Sequence, residues 1–165
     1  MKPIIIFTDG AVPNNQKAGN RKGGVGVFFG KDDPRNISFG MRESTYLKVT
    51  NQVCELTACI KAIETIVSTE KIGKKDIIIC TDSMYIINSI TEWAKNWEKN
   101  NWKKADNKPI QNDLLIKKLY YLSKNLKVGY KHVKAHTSPP KADSDEYFEW
   151  FGNYMADKLA VEATK

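Results

Sequence analysis

Cysteine is scarce in this 165-residue chain. The three present, Cys54, Cys59 and Cys80, are odd in number, share no Cys-x-x-Cys spacing, and each sits inside an apolar run. That usage points to buried free thiols in a reducing compartment rather than to a disulfide framework, a metal cage or a redox motif. Long hydrophobic runs are missing too. The best candidates, Ile4–Phe7 and Ile77–Cys80, are strand-sized, far short of the roughly 18–20 residues that cross a bilayer. Met1-Lys2-Pro3 runs straight into the first of them, which is too short for a secretory signal and lacks the Arg/Ser bias of a transit peptide. The expectation is a soluble intracellular protein, cytoplasmic or nuclear and not secreted, with no membrane partner. Gly/Ser linkers, internal repeats and low-complexity tails are absent, so a single domain over 1–165 is expected, and 41% hydrophobic residues suffice for a core of its own. Acidic charge is in deficit. Against 26 Lys plus Arg stand 19 Asp plus Glu, a net +7, which favours a polyanionic partner or an anionic surface but says little alone.

The apolar pattern defines the elements. Ile4–Phe7, Val25–Phe29 and Ile37–Met41 predict three strands, the first two a hairpin with a long polar loop, together an antiparallel meander. From Val53 onward Leu56, Ile60, Ile63 and Val67 recur at spacings of three and four, the stripe of an amphipathic helix, with Gly73 as its stop. Ile77–Cys80 predicts a fourth strand, followed by Thr81-Asp82-Ser83 and a short helix through Trp93, an order that suggests a parallel addition to the sheet. Pro109 is expected to open a helix running to about Asn125, Val128–Val133 to form a fifth strand, and Phe151–Ala163 a terminal helix. The fold class is therefore α/β: a mixed five-stranded sheet, three antiparallel strands then parallel additions, flanked by helices.

Polar residues at the ends of these elements carry the chemistry. Asp9 is read as closing the first strand, Asp82 the fourth, and Glu55 as lying in the first turn of the helix between them. Each has an ordinary reading: an Asp-Gly turn, a helix N-cap, an acid complementing the helix macrodipole. Three acids converging on one sheet edge would repel one another unless a hard cation sat among them. A fourth, Asp157, shares a helical stretch with Phe151, Met155, Leu159 and Ala160, and also reads as a solvated helix acid. Between Trp93 and Lys108, Trp93, Trp97 and Trp102 interleave with Lys95, Lys99, Lys103, Lys104 and Lys108 against only Glu98 and Asp106. That mixture suits a nucleic-acid backbone, although a helix packing its Trp face on the core would look similar.

Five blocks now stand in order: Thr8-Asp9-Gly10, Asn51-Gln52-x-x-Glu55-Leu56-x-Ala58, Thr81-Asp82-Ser83, Val133-Lys134-Ala135-His136-Thr137 and Gly152-Asn153-x-x-Ala156-Asp157-x-Leu159-Ala160. They resemble the signature blocks of type 1 ribonuclease H, across nearly the whole chain. The resemblance implies the ribonuclease H-like fold, a monomer, an RNA–DNA hybrid as partner, and hydrolysis of its RNA strand to 5′-phosphate and 3′-hydroxyl ends. By the same likeness Asp9, Glu55, Asp82 and Asp157 hold two Mg²⁺ ions, with Mn²⁺ as a substitute. His136 matches the family's mobile-loop histidine, which serves proton transfer or product release. The Trp-bearing segment, through Trp102-Lys103-x-Ala105-Asp106-x-Lys108-Pro109, resembles the family's basic protrusion that grips the DNA strand; Trp93, Trp97, Lys99, Trp102, Lys103 and Lys104 are its candidates.

Cutting only RNA requires reading the 2′-hydroxyl, for which the resemblance nominates Asn51 and Gln52, with Asn14 or Asn15 and the backbone near Met84. Lys48, Thr50 and Asn112 match a phosphate pocket for the DNA strand, with Lys48 replacing the arginine of some relatives. Asn51 also reads as a helix N-cap. One departure stands out. Ser138–Phe151, with Pro139-Pro140, Asp143, Asp145, Glu146 and Glu149, is longer than in compact relatives and is read as a solvated loop or extra turn. Three rivals remain: a free-standing retroelement ribonuclease H domain, a DNA-directed nuclease on the same scaffold, and a non-catalytic hybrid- or RNA-binding module.

Overall fold

The computed structural model describes residues 2–14, 16–70 and 76–165. At its centre lies β1 (Ile4–Ala11), where alternate side chains feed two separate cores: Ile6 packs into one, Phe7 into the other. β2 (Lys22–Phe28) pairs antiparallel with β1, and β3 (Ile37–Arg42) antiparallel with β2. On the other side β4 (Ile77–Thr81) and β5 (Gly129–His132) add in parallel, giving the order β3-β2-β1-β4-β5. This is the mixed sheet expected from the sequence. The larger core holds α1 (Asn51–Thr69) and α4 (Asp113–Leu126); the smaller holds α5 (Glu146–Glu162) against Phe7, Phe28 and Cys80. Cys54, Cys59 and Cys80 are buried and free, and burial pushes their thiols up to about 11, 12 and 11 respectively. Among the described residues no helix is long and apolar enough to cross a membrane.

Several boundaries differ from expectation, each for a physical reason. β1 does not end at Asp9: its ladder with β2 continues from Phe7 opposite Phe28 to Ala11 opposite Gly24, so Asp9-Gly10 is strand and not turn. α1 starts at Asn51 because Thr50 Oγ1 accepts from Val53 N at 3.1 Å; Thr50, not Asn51, is the cap. Glu55 consequently lies beyond the first turn, where the macrodipole has little hold on it. α1 closes at Thr69 with Glu70 as its C-cap, and Gly73 falls outside the described residues.

Ser83 caps α2 (Met84–Asn88) through Ile86 N, leaving the Asp82 carboxylate free of that task. The helix does not stop at Trp93. A wide π turn over Ser89–Trp93 leads directly into α3 (Ala94–Lys99), with Ile86, Ile90 and Ala94 buried in succession. Pro109 opens no helix. It forms a bridge with Lys103, Ile110 is drawn into the core, and α4 begins only after Asn112 turns through a left-handed conformation (φ 61). β5 is shorter than expected, though Val133 N still donates to Thr81 O at 3.0 Å.

α5 begins at Glu146 rather than Phe151, so the last six residues of the 138–151 segment are helix; Glu146 and Glu149 occupy its first turn, where acids are favoured. It rests directly on β2. A Cβ on Gly26 would lie 2.1 Å from Ala156 O and 2.7 Å from Ala160 N, so only a glycine admits the helix backbone here.

Candidate active site

β1 and β4 run parallel with Phe7 beside Cys80, so two residues farther along, Asp9 and Asp82 come side by side at the same edge. Asp9 is only 7% exposed and accepts from Gly10 N at 2.9 Å. Burial above all, then the charges of Asp82 and Asp157 and a hydrogen bond with Asp157, push its carboxyl up to about 9. Asp82, half-buried just past β4, is also raised by burial and by Asp157, while His136, a hydrogen bond from Asn153, and His132 pull it the other way.

Glu55 reaches this edge because α1 is seated against β1 at Gly10, where a Cβ would lie 2.7 Å from Glu55 N. Its carboxyl is raised by burial and by Asp82, opposed by a hydrogen bond with Ser83, and its Oε2 is buried without a hydrogen-bond partner. Asp157 comes down from α5. It lines a cleft of about 410 Å³ together with Gly10, Asn14, Asn51 and His136. His136 is exposed, at φ 52, on the turn after β5. All four predicted acids are thus brought together, with His136 at their rim. Among the described residues no three His, Cys, Asp or Glu side chains are arranged to hold a metal ion as they stand; the acids are neighbours that raise one another's affinity for protons.

A family model described as RNase H matches residues 1–165. The chain belongs to the RNase H family. It is similar to "Ribonuclease H1" of Homo sapiens, 32% identical over 162 residues, covering 98% of this chain and 50% of that protein. It is 35% identical over 156 residues to "Ribonuclease H" of Schizosaccharomyces pombe, covering 94% and 51%. To "Ribonuclease H" of Ruthia magnifica subsp. Calyptogena magnifica it is 37% identical over 160 residues, covering 97% of this chain and 94% of that one. The chain therefore spans about half the length of the human and fission-yeast relatives and nearly all of the bacterial one.

Among solved structures, LC9-RNase H1, a type 1 RNase H with the type 2 active-site motif, superposes with a TM-score of 0.70 at 22% identity, covering 99% of this chain and 74% of that chain. A foamy viral protease–reverse transcriptase in complex with RNA/DNA hybrid superposes at 0.72 and 20% identity, covering 99% and 21%. At those identities the likeness bears on the RNase H fold alone.

Around the acids of this RNase H-family chain, Asn14, Thr50 and Asn51 line a groove of about 260 Å³ with Gln16 and Arg21. Asn15 falls outside the described residues. Gln52 is half-buried, Lys48 exposed beside the start of α1, and Met84 exposed at the start of α2. Asn112, at the start of α4, donates to Tyr85 Oη of α2 at 3.3 Å. In the Trp-bearing segment, Trp97 and Trp102 are half-buried and packed on the core, Trp102 edge-on to Tyr120 at 5.8 Å, while Trp93 is 37% exposed.

The exposed chemistry of that segment is lysine. Lys95 and Lys99 face solvent from α3, and Lys103, Lys104 and Lys108 from the braced loop after it, in which Asn100 Nδ2 donates to the carbonyls of Lys103 and Lys104, both at 2.9 Å. Sequence reasoning gave no role to Ser83, Asn153 or His132, all of which act on Glu55 or Asp82. Asn153 had a signal: it precedes Asp157 by four residues, one helical turn, inside a quoted block.

Proposed function

We propose that this chain is a metal-dependent endoribonuclease that hydrolyses the RNA strand of RNA–DNA hybrids, leaving 5′-phosphate and 3′-hydroxyl ends, with residues 1–165 acting as one monomeric catalytic domain. The observation that carries this reading is the carboxylate cluster: Asp9, 7% exposed, lies beside Asp82 and Asp157, whose charges together with burial push its carboxyl upward, next to a Glu55 oxygen buried without a partner. Such a cluster is costly to keep unless divalent cations relieve it, and its all-oxygen donors suit hard ions. Asp9, Glu55, Asp82 and Asp157 would hold two Mg²⁺, with Mn²⁺ able to replace them. The chemistry such a pair supplies when bound is activation of water for in-line attack and stabilisation of the departing 3′-oxygen.

The chain's own groups do the rest. Burial of Asp9 and Glu55 keeps bulk water from the cluster's inner side. His136, at the rim of the cleft, holds and moves a proton at its imidazole. Asn14, Asn51 and Gln52, with the backbone near Met84, offer hydrogen bonds to 2′-hydroxyls. Lys48, Thr50 and Asn112 serve DNA phosphates, and the lysine shelf holds the DNA backbone with little regard for sequence. Trp93 keeps a partly free face there, whereas Trp97 and Trp102 support the shelf from below.

The deciding experiment uses a hybrid with each strand labelled in turn, in Mg²⁺. The RNA should be cut, with the DNA strand, single-stranded RNA and duplex DNA left intact. Equal cutting of duplex DNA would defeat the 2′-hydroxyl reading, and binding without cutting would favour a binding module. A second expectation concerns grip. Replacing Lys99, Lys103 and Lys104 together by alanine should weaken hybrid binding and lower the slope of log K against log salt by up to about 3, while cutting persists at low salt. Unchanged affinity at every salt concentration would remove the shelf from the substrate path.

A further inference from the structure

The turn that carries His136 is held from both sides by α5. On one side Asn153 Nδ2 donates to Lys134 O at 3.3 Å; on the other Trp150 Nε1 donates to Thr137 O at 2.9 Å. Between those two carbonyls lie only Ala135 and His136. His136 sits at φ 52, a left-handed conformation that a residue with a Cβ adopts only at an energetic cost, so the surroundings must hold it there.

Trp150 is equipped to do so. Its ring lies 5.3 Å from Tyr154 in a near-parallel stack (12°) and 5.5 Å from Tyr147, which in turn stacks on Phe151 at 6.0 Å. An indole fixed between two rings presents its N–H in one direction, toward the turn. Trp150, Asn153 and Asp157 then line a small cleft with His136 itself. The first turns of α5, which supply Tyr147 and Trp150, come from the Ser138–Phe151 segment.

We propose that Trp150 is a positioning residue: its indole N–H anchors the Thr137 carbonyl so that the His136 imidazole is set beside the carboxylate cluster before substrate arrives. This rests on the proton-handling role given to His136 above. An unanchored turn would spend only part of its time with the imidazole in place, and turnover would fall by that fraction.

The test is Trp150→Phe in the full chain, which keeps a ring between Tyr147 and Tyr154 and removes only the donor. Two quantities are measured: backbone ¹⁵N order parameters across residues 134–138 without nucleic acid, and steady-state cleavage of the hybrid by wild type, W150F, H136A and the double variant. Loss of the anchoring hydrogen bond should lower the order parameters of the turn from about 0.85 toward 0.6. kcat should fall by roughly twofold to fivefold with KM unchanged, and H136A should lower it roughly 10–10²-fold. The double variant should be no slower than H136A alone, because a positioned group that is gone cannot be mispositioned.

Wild-type order parameters in W150F overturn the anchor. A loosened turn with unchanged kcat, or a W150F loss that multiplies fully with that of H136A, overturns the positioning role. If the wild type does not cut hybrids, the nuclease reading fails before any variant is compared and the positioning role falls with it, while the order parameters still decide whether the anchor exists.

Discussion

Asp9→Asn is expected to abolish hybrid cleavage, by roughly 10³-fold or more, and at the same time to make the metal-free protein more stable. The first effect follows from removing a charged oxygen donor from the centre of the cluster while leaving the lysine shelf intact, so hybrid binding should persist. The second follows from burial. In the unfolded chain an aspartate ionises near about 3.9, whereas in the folded protein Asp9 holds its proton up to about 9. Between those pH values the unfolded state has released a proton that the folded state retains, so stability falls as pH rises through the window.

Asparagine carries no such proton, yet its oxygen can still accept from Gly10 N. The melting temperatures of the two proteins should therefore agree below about pH 4 and diverge toward pH 8, with D9N higher by about 2–4 °C for each kcal/mol of relieved cost, as befits a domain of 165 residues. Adding Mg²⁺ should close the gap by stabilising only the wild type. Thermal melts across pH, with and without Mg²⁺, check both halves; a D9N protein that melts lower than wild type at pH 8 would contradict the account of Asp9.

Gly26→Ala should cost about 3 kcal/mol or more in equilibrium urea unfolding. The added methyl would lie 2.1 Å from Ala156 O and 3.1 Å from Ala156 C, atoms of helix backbone that cannot rotate aside. α5 would have to lift from β2. Since Asp157 follows Ala156 directly and Asp9 faces Gly26 across the ladder, the lift would also open the carboxylate cluster, so the fraction that stays folded should cut poorly. A loss below about 1 kcal/mol would mean that the helix is not seated as described.

What was legible in the sequence was whatever side-chain periodicity encodes. The apolar runs at Ile4–Phe7 and Ile77–Cys80 and the stripe from Val53 to Val67 gave the mixed sheet and the helix that carry Asp9, Asp82 and Glu55, though not where β1 ends or which turn of α1 holds Glu55. Illegible were features written in backbone. β1 continues past Asp9 because it finds a partner in glycine-rich β2, whose backbone pairs without side-chain pattern. The Asp9-Gly10 pair looks like a turn, yet Gly10 serves to admit α1. Trp150 and Asn153 escaped notice because their partners are loop carbonyls, which no residue type announces. The tryptophan spacing left two readings open, a binding face or a face packed on the core; tertiary packing sets Trp97 and Trp102 against the core and leaves Trp93 partly exposed.

The wide turn at Ser89–Trp93 has a consequence for how this protein can change over time. A π turn accommodates one residue more than a regular α turn while keeping the helix on either side in phase. Ile86 and Ala94 therefore face the same core across it, and the lysines beyond stay aimed outward. Loss of one residue inside this turn would convert it to ordinary helix without rotating either flank, whereas the same loss inside α2 or α3 would swing everything downstream by about 100°. Chain length is thus negotiable at this single point between the carboxylate edge and the basic shelf, and descendants of this sequence can shorten here while keeping both.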